Sequence, residues 1–220
     1  MPHSKTDKTN TAQTPDLFKF AHGSCVAVGA FNMQLIQPSW LIERGILAKD
    51  DPLECEINLE QAGLRFRNTN TETQWFVTPT RLEIRASSPD ENCGESLAQV
   101  LDLLNWTPLR AIGINTQYHA SPAIISQLRS FSIEFVEHPI SKEYKIVQKL
   151  HGILVEKENK AHDLRIDFDG SSVNLHTNTQ LIPTGSESNV MACETARAYF
   201  AQRKENEELA KQLYGVKFLQ

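Results

Sequence analysis

The stretch "HDLRIDFDGSSVNLHTNTQLI" at residues 162–182 decides the fold class of this chain. Its first run alternates Leu164 and Ile166 with charged residues, and its second run alternates apolar with polar residues from Val173 onward. Alternation with a period of two is typical of a strand that has one buried and one solvated face. The dipeptide Asp169-Gly170 between the runs is a strong signal for a tight turn. The sequence therefore predicts an antiparallel β-hairpin.

The same alternation recurs in three shorter segments that precede this hairpin. They are "GLRFRN" (63–68), "TQWFVTP" (73–79) and "RLEIRAS" (81–87). Their apolar residues would face inward and their arginines would face water, as a half-solvated antiparallel sheet requires. Two further segments, "CVAVGAFNMQLIQ" (25–37) and "PLRAIGINTQYHA" (108–120), are rich in apolar and β-branched residues and are also predicted to be strands.

The helical signals are fewer. "ENCGESLAQVLDLLNW" (91–106) carries leucines and a valine at helical spacing, which predicts a helix. Pro38 and Pro122 each open a short helix, since proline fits the first helical position. A long helix is predicted from about 189 to 214, where Gly215 ends it.

Two more strands are predicted, near 131–137 and around 143–156. The order of strands and helices then indicates an α+β fold, with a predominantly antiparallel twisted sheet, a few packed helices and a long C-terminal helix.

The chain divides into three parts by composition. We expect residues 1–16, which are polar, to form a disordered tail and residues 17–188 to form the α+β domain. Residues 189–220 are the C-terminal helix and an apolar tail. Within the domain, residues 17–120 and 121–188 each contain a group of strands, so they are candidates for two pseudo-repeated halves.

Composition limits the class of protein. The net charge of −5 and an isoelectric point near 5.8 give no electrostatic reason to expect nucleic acid as a direct primary partner. The four cysteines contain no CxxC pair, which favours free thiols over a zinc ribbon. No apolar run approaches the roughly 18 residues that span a bilayer, and the first residues lack the apolar core of a signal peptide. We therefore expect a cytoplasmic protein without a membrane span.

A short motif, Asn-x-Gln followed by a large apolar or aromatic residue, occurs three times. The copies are "NMQLI" (32–36), "NTQYH" (115–119) and "NTQLI" (178–182). In a strand, the Asn and the Gln of each copy would project from the same face because side chains alternate. We therefore expect three strands with equivalent facing.

The last two copies predict a polar, uncharged strip on one sheet face. Its members are amides and imidazoles that could pair with a polar ligand. The candidate ligand-binding residues are Asn115, Gln117, His119, Asn174, His176, Asn178 and Gln180. The alternative is an ordinary solvated face, which antiparallel sheets commonly keep.

Metal and cofactor chemistry has little support in the sequence. His119 and His176 are the two histidines that the pattern brings to a shared face, but neither an HxH nor an HxxxH motif accompanies them. The sequence contains none of the motifs GxxxxGK[ST], GxGxxG, GxSxG and HExxH. We therefore predict no catalytic residue, no metal site and no cofactor, and lean against an enzyme.

One enzymatic alternative stays open, a metal-dependent nuclease. The segments "EYK" (143–145) and "EKENK" (156–160) contain Glu-x-Lys, which restriction-type nucleases place on a strand beside magnesium. Such a site also needs an aspartate on an adjacent strand, and Asp163 or Asp167 could supply it.

The C-terminal helix carries the functional expectation. Its middle, "QRKENEE" (202–208), is wholly polar. Apolar residues then return, and they are the candidate partner-binding residues Leu209, Leu213, Val216, Phe218 and Leu219. Such a helix either lies over its own domain or projects as a docking arm for a second subunit or another protein.

We favour an interaction function at this stage, with the C-terminal helix and tail as the candidate docking arm. The predicted function is then a non-enzymatic interaction or assembly protein, a subunit of a larger complex or a homo-oligomer. The first alternative is a module that binds a small polar ligand on the Asn/Gln/His face, and the second is the nuclease.

Overall fold

A computed structural model describes residues 17–58, 63–128, 149–169 and 171–219. These residues form one antiparallel sheet of nine strands with helices packed on it, which confirms the predicted α+β class. The strands are β1 (Lys19–Gly29), β2 (Leu53–Asn58), β3 (Gly63–Asn68), β4 (Thr73–Thr78), β5 (Arg81–Ala86), β6 (Leu109–Ala120), β7 (Lys149–Lys157), β8 (Lys160–Phe168) and β9 (Val173–Leu181).

The strand order is β2-β3-β4-β5-β1-β6-β9-β8-β7. The chain follows a similar path on the two sides of the β1–β6 pair. β1 and β6 pair antiparallel in the middle of the sheet. Each is followed by a short helix and then by strands that start at an outer edge of the sheet and lead back to the centre, where β5 pairs with β1 and β9 pairs with β6. The second of these sets of strands begins with β6 at Leu109, and the division of the domain into two pseudo-repeated halves stays a prediction.

The helices lie on one face of the sheet. They are α1 (Pro38–Glu43), α2 (Cys93–Leu103), α3 (Ser188–Arg197) and α4 (Tyr199–Tyr214), with a 3₁₀ helix at Pro122–Gln127. The predicted continuous helix at 189–214 is thus two helices that meet at Ala198. The helix ends as predicted, because Gly215 has a φ of 72° and its N–H donates to the carbonyl of Lys211. No helix in the described ranges is long and apolar enough to cross a membrane.

Two apolar clusters fill the space between the helices and the sheet. In the first half, Phe66 stacks on Trp75 with ring centroids 5.3 Å apart, and Leu97 of α2 is buried in the same cluster. In the second half, Leu164 and Tyr214 are fully buried in a separate cluster. Both clusters lie on the helix side, so the opposite face of the sheet is open.

The first Asn-x-Gln motif is not in a strand, and that prediction was wrong. β1 ends at Gly29, and Asn32 begins a turn. The side-chain oxygen of Asn32 accepts a hydrogen bond from the backbone N–H of Gln34 at 3.0 Å, and its carbonyl accepts one from Leu35. Asparagine often bonds to nearby backbone in this way, which favours a turn over a strand.

The hairpin at 162–182 is present as β8 and β9. Residues 169–172 connect the strands, and the carboxylate of Asp169 accepts the backbone N–H groups of Ser171 and Ser172 at 2.9 and 2.8 Å. These hydrogen bonds hold the pKa of Asp169 well below its usual range. Gly170, the predicted tail at 1–16 and the predicted strand segments within 129–148 lie outside the described residues.

The polar middle of the C-terminal helix lies on its own domain, which is the first of the two alternatives that the sequence left open. Gln202 and Asn206 are only 2% and 1% exposed, because α4 lies across the second half of the sheet. The oxygen of the Asn206 amide accepts a hydrogen bond from the hydroxyl of Thr179 at 2.8 Å and lies 3.0 Å from Nδ1 of His162. The sheet beneath α4 therefore presents polar partners for the polar helix.

The candidate partner-binding residues follow the same path. Val216 is buried, and Leu209, Leu213 and Phe218 pack against the second cluster as partly buried residues. Leu219 is 54% exposed. Docking of another protein on these residues stays a prediction, and four of the five contribute to the core of this chain.

Candidate functional site

The predicted polar residues of β6 and β9 lie together on the open face. β6 and β9 are neighbours, and residues directly opposite each other in an antiparallel pair project to the same side. The opposed pairs are Gly113–Gln180, Asn115–Asn178, Gln117–His176 and His119–Asn174. All seven predicted residues thus share one face, and we call this set the polar strip. Ligand binding at the strip stays a prediction.

The flanking strands widen the strip with residues that the sequence reasoning did not assign to it. His22 of β1 lies opposite Gln117. On β8, the residues opposite the strip are Asp163, Arg165 and Asp167. The alternation in 162–168 could have indicated the β8 residues. His22 could not be placed from the sequence, because an irregularity between Phe20 and His22 shifts the register of β1.

A cavity of about 420 Å³ lies over these four strands. Residues of the strip line it, among them Asn115, Gln117 and His176, and Leu150 of β7 contributes an apolar wall. The volume falls within the roughly 300–1,000 Å³ of typical small-molecule sites. The cavity is therefore large enough for a small ligand.

The ionisable side chains of β8 in this cavity each have a partner. Asp163 binds Arg165 through two hydrogen bonds, one of them 3.0 Å from Nε to Oδ1. Nε2 of His176 lies 3.2 Å from Oδ1 of Asp167. Gly152 lies opposite Arg165 and leaves room for it, since a Cβ there would be 3.3 Å from Cγ of Arg165. Arg165 and both carboxylates thus already have hydrogen-bond partners within the cavity.

Two amides of the strip have unused hydrogen-bonding capacity. Asn115 donates to the hydroxyl of Ser24 at 3.3 Å. By contrast, no hydrogen bond within the described residues engages the side chains of Gln117 and Asn178, although both are partly buried. A carboxamide offers two donors and an acceptor oxygen. These two side chains therefore present donors and acceptors to the cavity.

His22 adds a third neutral polar group. Burial lowers the pKa of its imidazole, and the positive charge of Arg85 lowers it further. A neutral imidazole carries one donor and one acceptor, as an amide does. At neutral pH, His22 thus extends the uncharged character of the strip.

The residues of the nuclease alternative are not assembled into a metal site in the described part of the chain. No group of three or more His, Cys, Asp or Glu side chains there could hold a metal ion. Glu158 lies in the turn between β7 and β8 with a φ of 56°. The "EYK" segment at 143–145 lies outside the described residues. A nuclease stays a prediction without support from this geometry.

No known family model matches this chain, and no curated protein is detectably similar to it in sequence.

Proposed function

We propose that this protein binds a small, uncharged polar ligand against the open face of its sheet. The observation that carries the proposal is the pair of partly buried amides, Gln117 and Asn178, which face a cavity without a hydrogen-bond partner among the described residues. Both amides line the open cavity, so a ligand bound there would take the place of water as their hydrogen-bond partner. A ligand with hydroxyl or amide groups would supply one.

The electrostatics of the cavity support a neutral ligand. Arg165 is already paired with Asp163, so an anionic ligand would have to compete with that pair, and Asp167 already has a hydrogen-bond partner in His176. The side chains that remain, amides and a neutral His22, both donate and accept. Hydroxyl groups also both donate and accept, which makes a polyhydroxylated molecule or a nucleoside a suitable partner.

The dimensions of the site limit the size of the ligand. The cavity spans β1, β6, β9 and β8, which are three strand spacings of about 4.8 Å, or about 14 Å in all. Leu150 and Leu154 at the β7 edge are exposed and can contact the apolar part of a ligand. The site therefore suits a molecule of one or two rings.

The test compares ligand-induced stabilisation of the unmodified protein with that of a variant in which Asn115→Ala and Gln117→Ala are combined. A ligand at a hundred times its Kd stabilises the folded state by about 2.7 kcal/mol, which raises the melting temperature by about 5–10 °C for a chain of this size. We expect a panel of neutral sugars and nucleosides to contain a stabilising compound. The double variant should melt like the unmodified protein without ligand and lose that shift.

Gln180→Ala is the matched control, since Gln180 is exposed on the same strip and does not line the cavity. It should keep the shift. A panel in which no compound stabilises the protein would contradict the proposal, and so would a shift that survives in the double variant.

Assembly is the second candidate function, and exposed apolar residues away from the C-terminus favour it. Trp106 is 71% exposed, and Val190 is also exposed. The segments that carry them are joined by a hydrogen bond from the side chain of Asn189 to the carbonyl of Asn105. We would expect a second copy of the chain as occupant. Light scattering tests this self-association. We expect a mass above that of one chain for the unmodified protein and the mass of a single chain for Trp106→Ser. A single-chain mass for both proteins would exclude self-association.

A further inference from the structure

A second cavity lies on the open face, over the first half of the sheet. Its volume is about 410 Å³, and strands β2 to β5 form its floor. Phe76 lies opposite Arg65 on one side and opposite Glu83 on the other, and Glu83 lies opposite Val26 of β1. This register puts the cavity on the same face as the polar strip.

Three arginines line this cavity, and two of them lie over an aromatic ring. The guanidinium carbons of Arg65 and Arg85 each lie 5.2 Å from the ring centroid of Phe76, which stands on the strand between them. Such contacts hold a guanidinium group in place through the negative face of the ring. Arg81 lies two residues before Glu83 on β5, and Arg85 lies two residues after it.

Glu83 is the buried centre of the cluster and is 5% exposed. It accepts hydrogen bonds from Arg81 at 2.7 Å and from Arg85 at 3.1 Å, so one carboxylate serves two guanidinium groups. Both arginines are thereby fixed in position while only part of their positive charge is balanced.

Within the described residues, the N–H donors of the cluster outnumber the hydrogen bonds that they make, and its arginines outnumber its carboxylates. Arg65 donates to Gln74 at 3.1 Å, and its nearest carboxylate, Glu56, is largely exposed and 3.7 Å away. The lining thus combines three arginines with two carboxylates. Each guanidinium group carries five N–H donors, and the contacts described here occupy a minority of them.

The geometry points to a binding site for a phosphate or carboxylate group, held by Arg65, Arg81 and Arg85. The planar fork of a guanidinium group matches the oxygen geometry of both anions. Phe76 contacts the guanidinium groups of Arg65 and Arg85, and Glu83 binds those of Arg81 and Arg85, so all three are positioned before the anion arrives, which reduces the entropy lost on binding. The site is distinct from the polar strip, because Arg85 and Asn115 lie on strands separated by β1, about 10 Å apart.

The experiment titrates inorganic phosphate, and in a separate arm acetate, into the full chain and follows binding by calorimetry. We expect saturable binding of at least one of the two anions, and the tighter of them identifies the group that the site prefers. Binding should weaken with added chloride, because salt screens partly exposed charges.

Arg65→Gln is the informative variant, since Arg65 is exposed and its removal leaves Glu83 with both of its arginines. We expect at least a tenfold weaker affinity for the bound anion, which corresponds to about 1.4 kcal/mol. Arg110→Gln is the charge-matched control, because Arg110 is exposed on β6 and lines neither cavity. It should leave the affinity unchanged.

The combined Asn115→Ala and Gln117→Ala variant separates this site from the proposed neutral-ligand site. We expect it to bind the anion as the unmodified protein does. Absence of saturable binding of both anions would overturn the inference, as would equal losses in Arg65→Gln and Arg110→Gln, or loss of anion binding in the double variant.

Discussion

Replacing Asn206 with alanine is the sharpest test of how the C-terminal helix sits on this protein. Asn206 is 1% exposed and contacts Thr179 at 2.8 Å and His162 at 3.0 Å. The two alternatives for this helix predict opposite signs. In a projecting arm, Asn206→Ala would stabilise the helix by roughly 0.5 kcal/mol, because alanine has the higher helix propensity. In the observed packing, the same change removes buried hydrogen bonds.

The magnitude follows from those contacts. Each lost hydrogen bond costs about 1 kcal/mol, and a buried polar group left without a partner costs about 1–3 kcal/mol. His162 and Thr179 lie 3.1 Å apart and can still bond to each other, so we count one unsatisfied group. After the gain in helix propensity, the free energy of unfolding should fall by about 2–3 kcal/mol.

The assay is equilibrium unfolding by denaturant and by heat, followed by circular dichroism. For a chain of this length, the expected loss lowers the melting temperature by about 5–10 °C. Glu208→Ala is the control on the same helix, because Lys211 is the ion-pair partner of Glu208 among the described residues and the pair lies at the surface. This change should alter the stability by at most about 0.5 kcal/mol. An Asn206→Ala protein as stable as the unmodified protein, or more stable, would refute the packing argument.

Two further predictions concern the open face and the chain end. Burial, together with Arg85, His176 and His119, lowers the pKa of His22 below 6.5, while Glu83 raises it. The contribution of neutral His22 to the free energy of unfolding is therefore complete above pH 6.5, and it decreases as the pH falls toward the lowered pKa. Denaturant unfolding at several pH values should show that His22→Gln removes this part of the pH dependence of the free energy of unfolding, which is at most about 1.4 kcal/mol per pH unit. If stability depended on pH in the same way in both proteins, this prediction would be wrong. Deleting residues 216–220 should lower the free energy of unfolding by at least about 3 kcal/mol. It removes buried Val216, the ring of Phe218, whose centroid lies 4.8 Å from that of Tyr118, and the backbone hydrogen bonds to Phe18. Leu219→Ala should cost little, and a truncated protein of unchanged stability would restore the docking-arm interpretation.

Local pattern was sufficient for the parts of the site that lie within one strand. Asn115, Gln117 and His119 share a face whatever the neighbouring strand is, because the side-chain period of a strand is two. The same holds for Asn174, His176 and the amides that follow on β9. Their meeting across the β6–β9 boundary required the pairing of strands that are far apart in sequence.

The first Asn-x-Gln motif shows where local pattern was insufficient. Its residue types match those of the strand copies, yet Asn32 bonds to its own backbone and forms a turn. Hydrophobic periodicity contains no information on the competition between a strand and a turn at Asn32. The hydrogen bond that favours the turn depends on the conformation of the two following residues.

By itself, the sequence determined the α+β class, the antiparallel hairpin at 162–182 and the facing of the polar strip, all of which follow from alternation along a few residues. Only the tertiary structure decided the position of His22, the partners of Arg165 and the central place of β1 between β5 and β6. It also decided the burial of Asn206, whose partner His162 lies 44 residues away in the chain. The physical reason is that a polar residue is buried where a distant polar partner satisfies it, and a linear pattern contains no information on that partner.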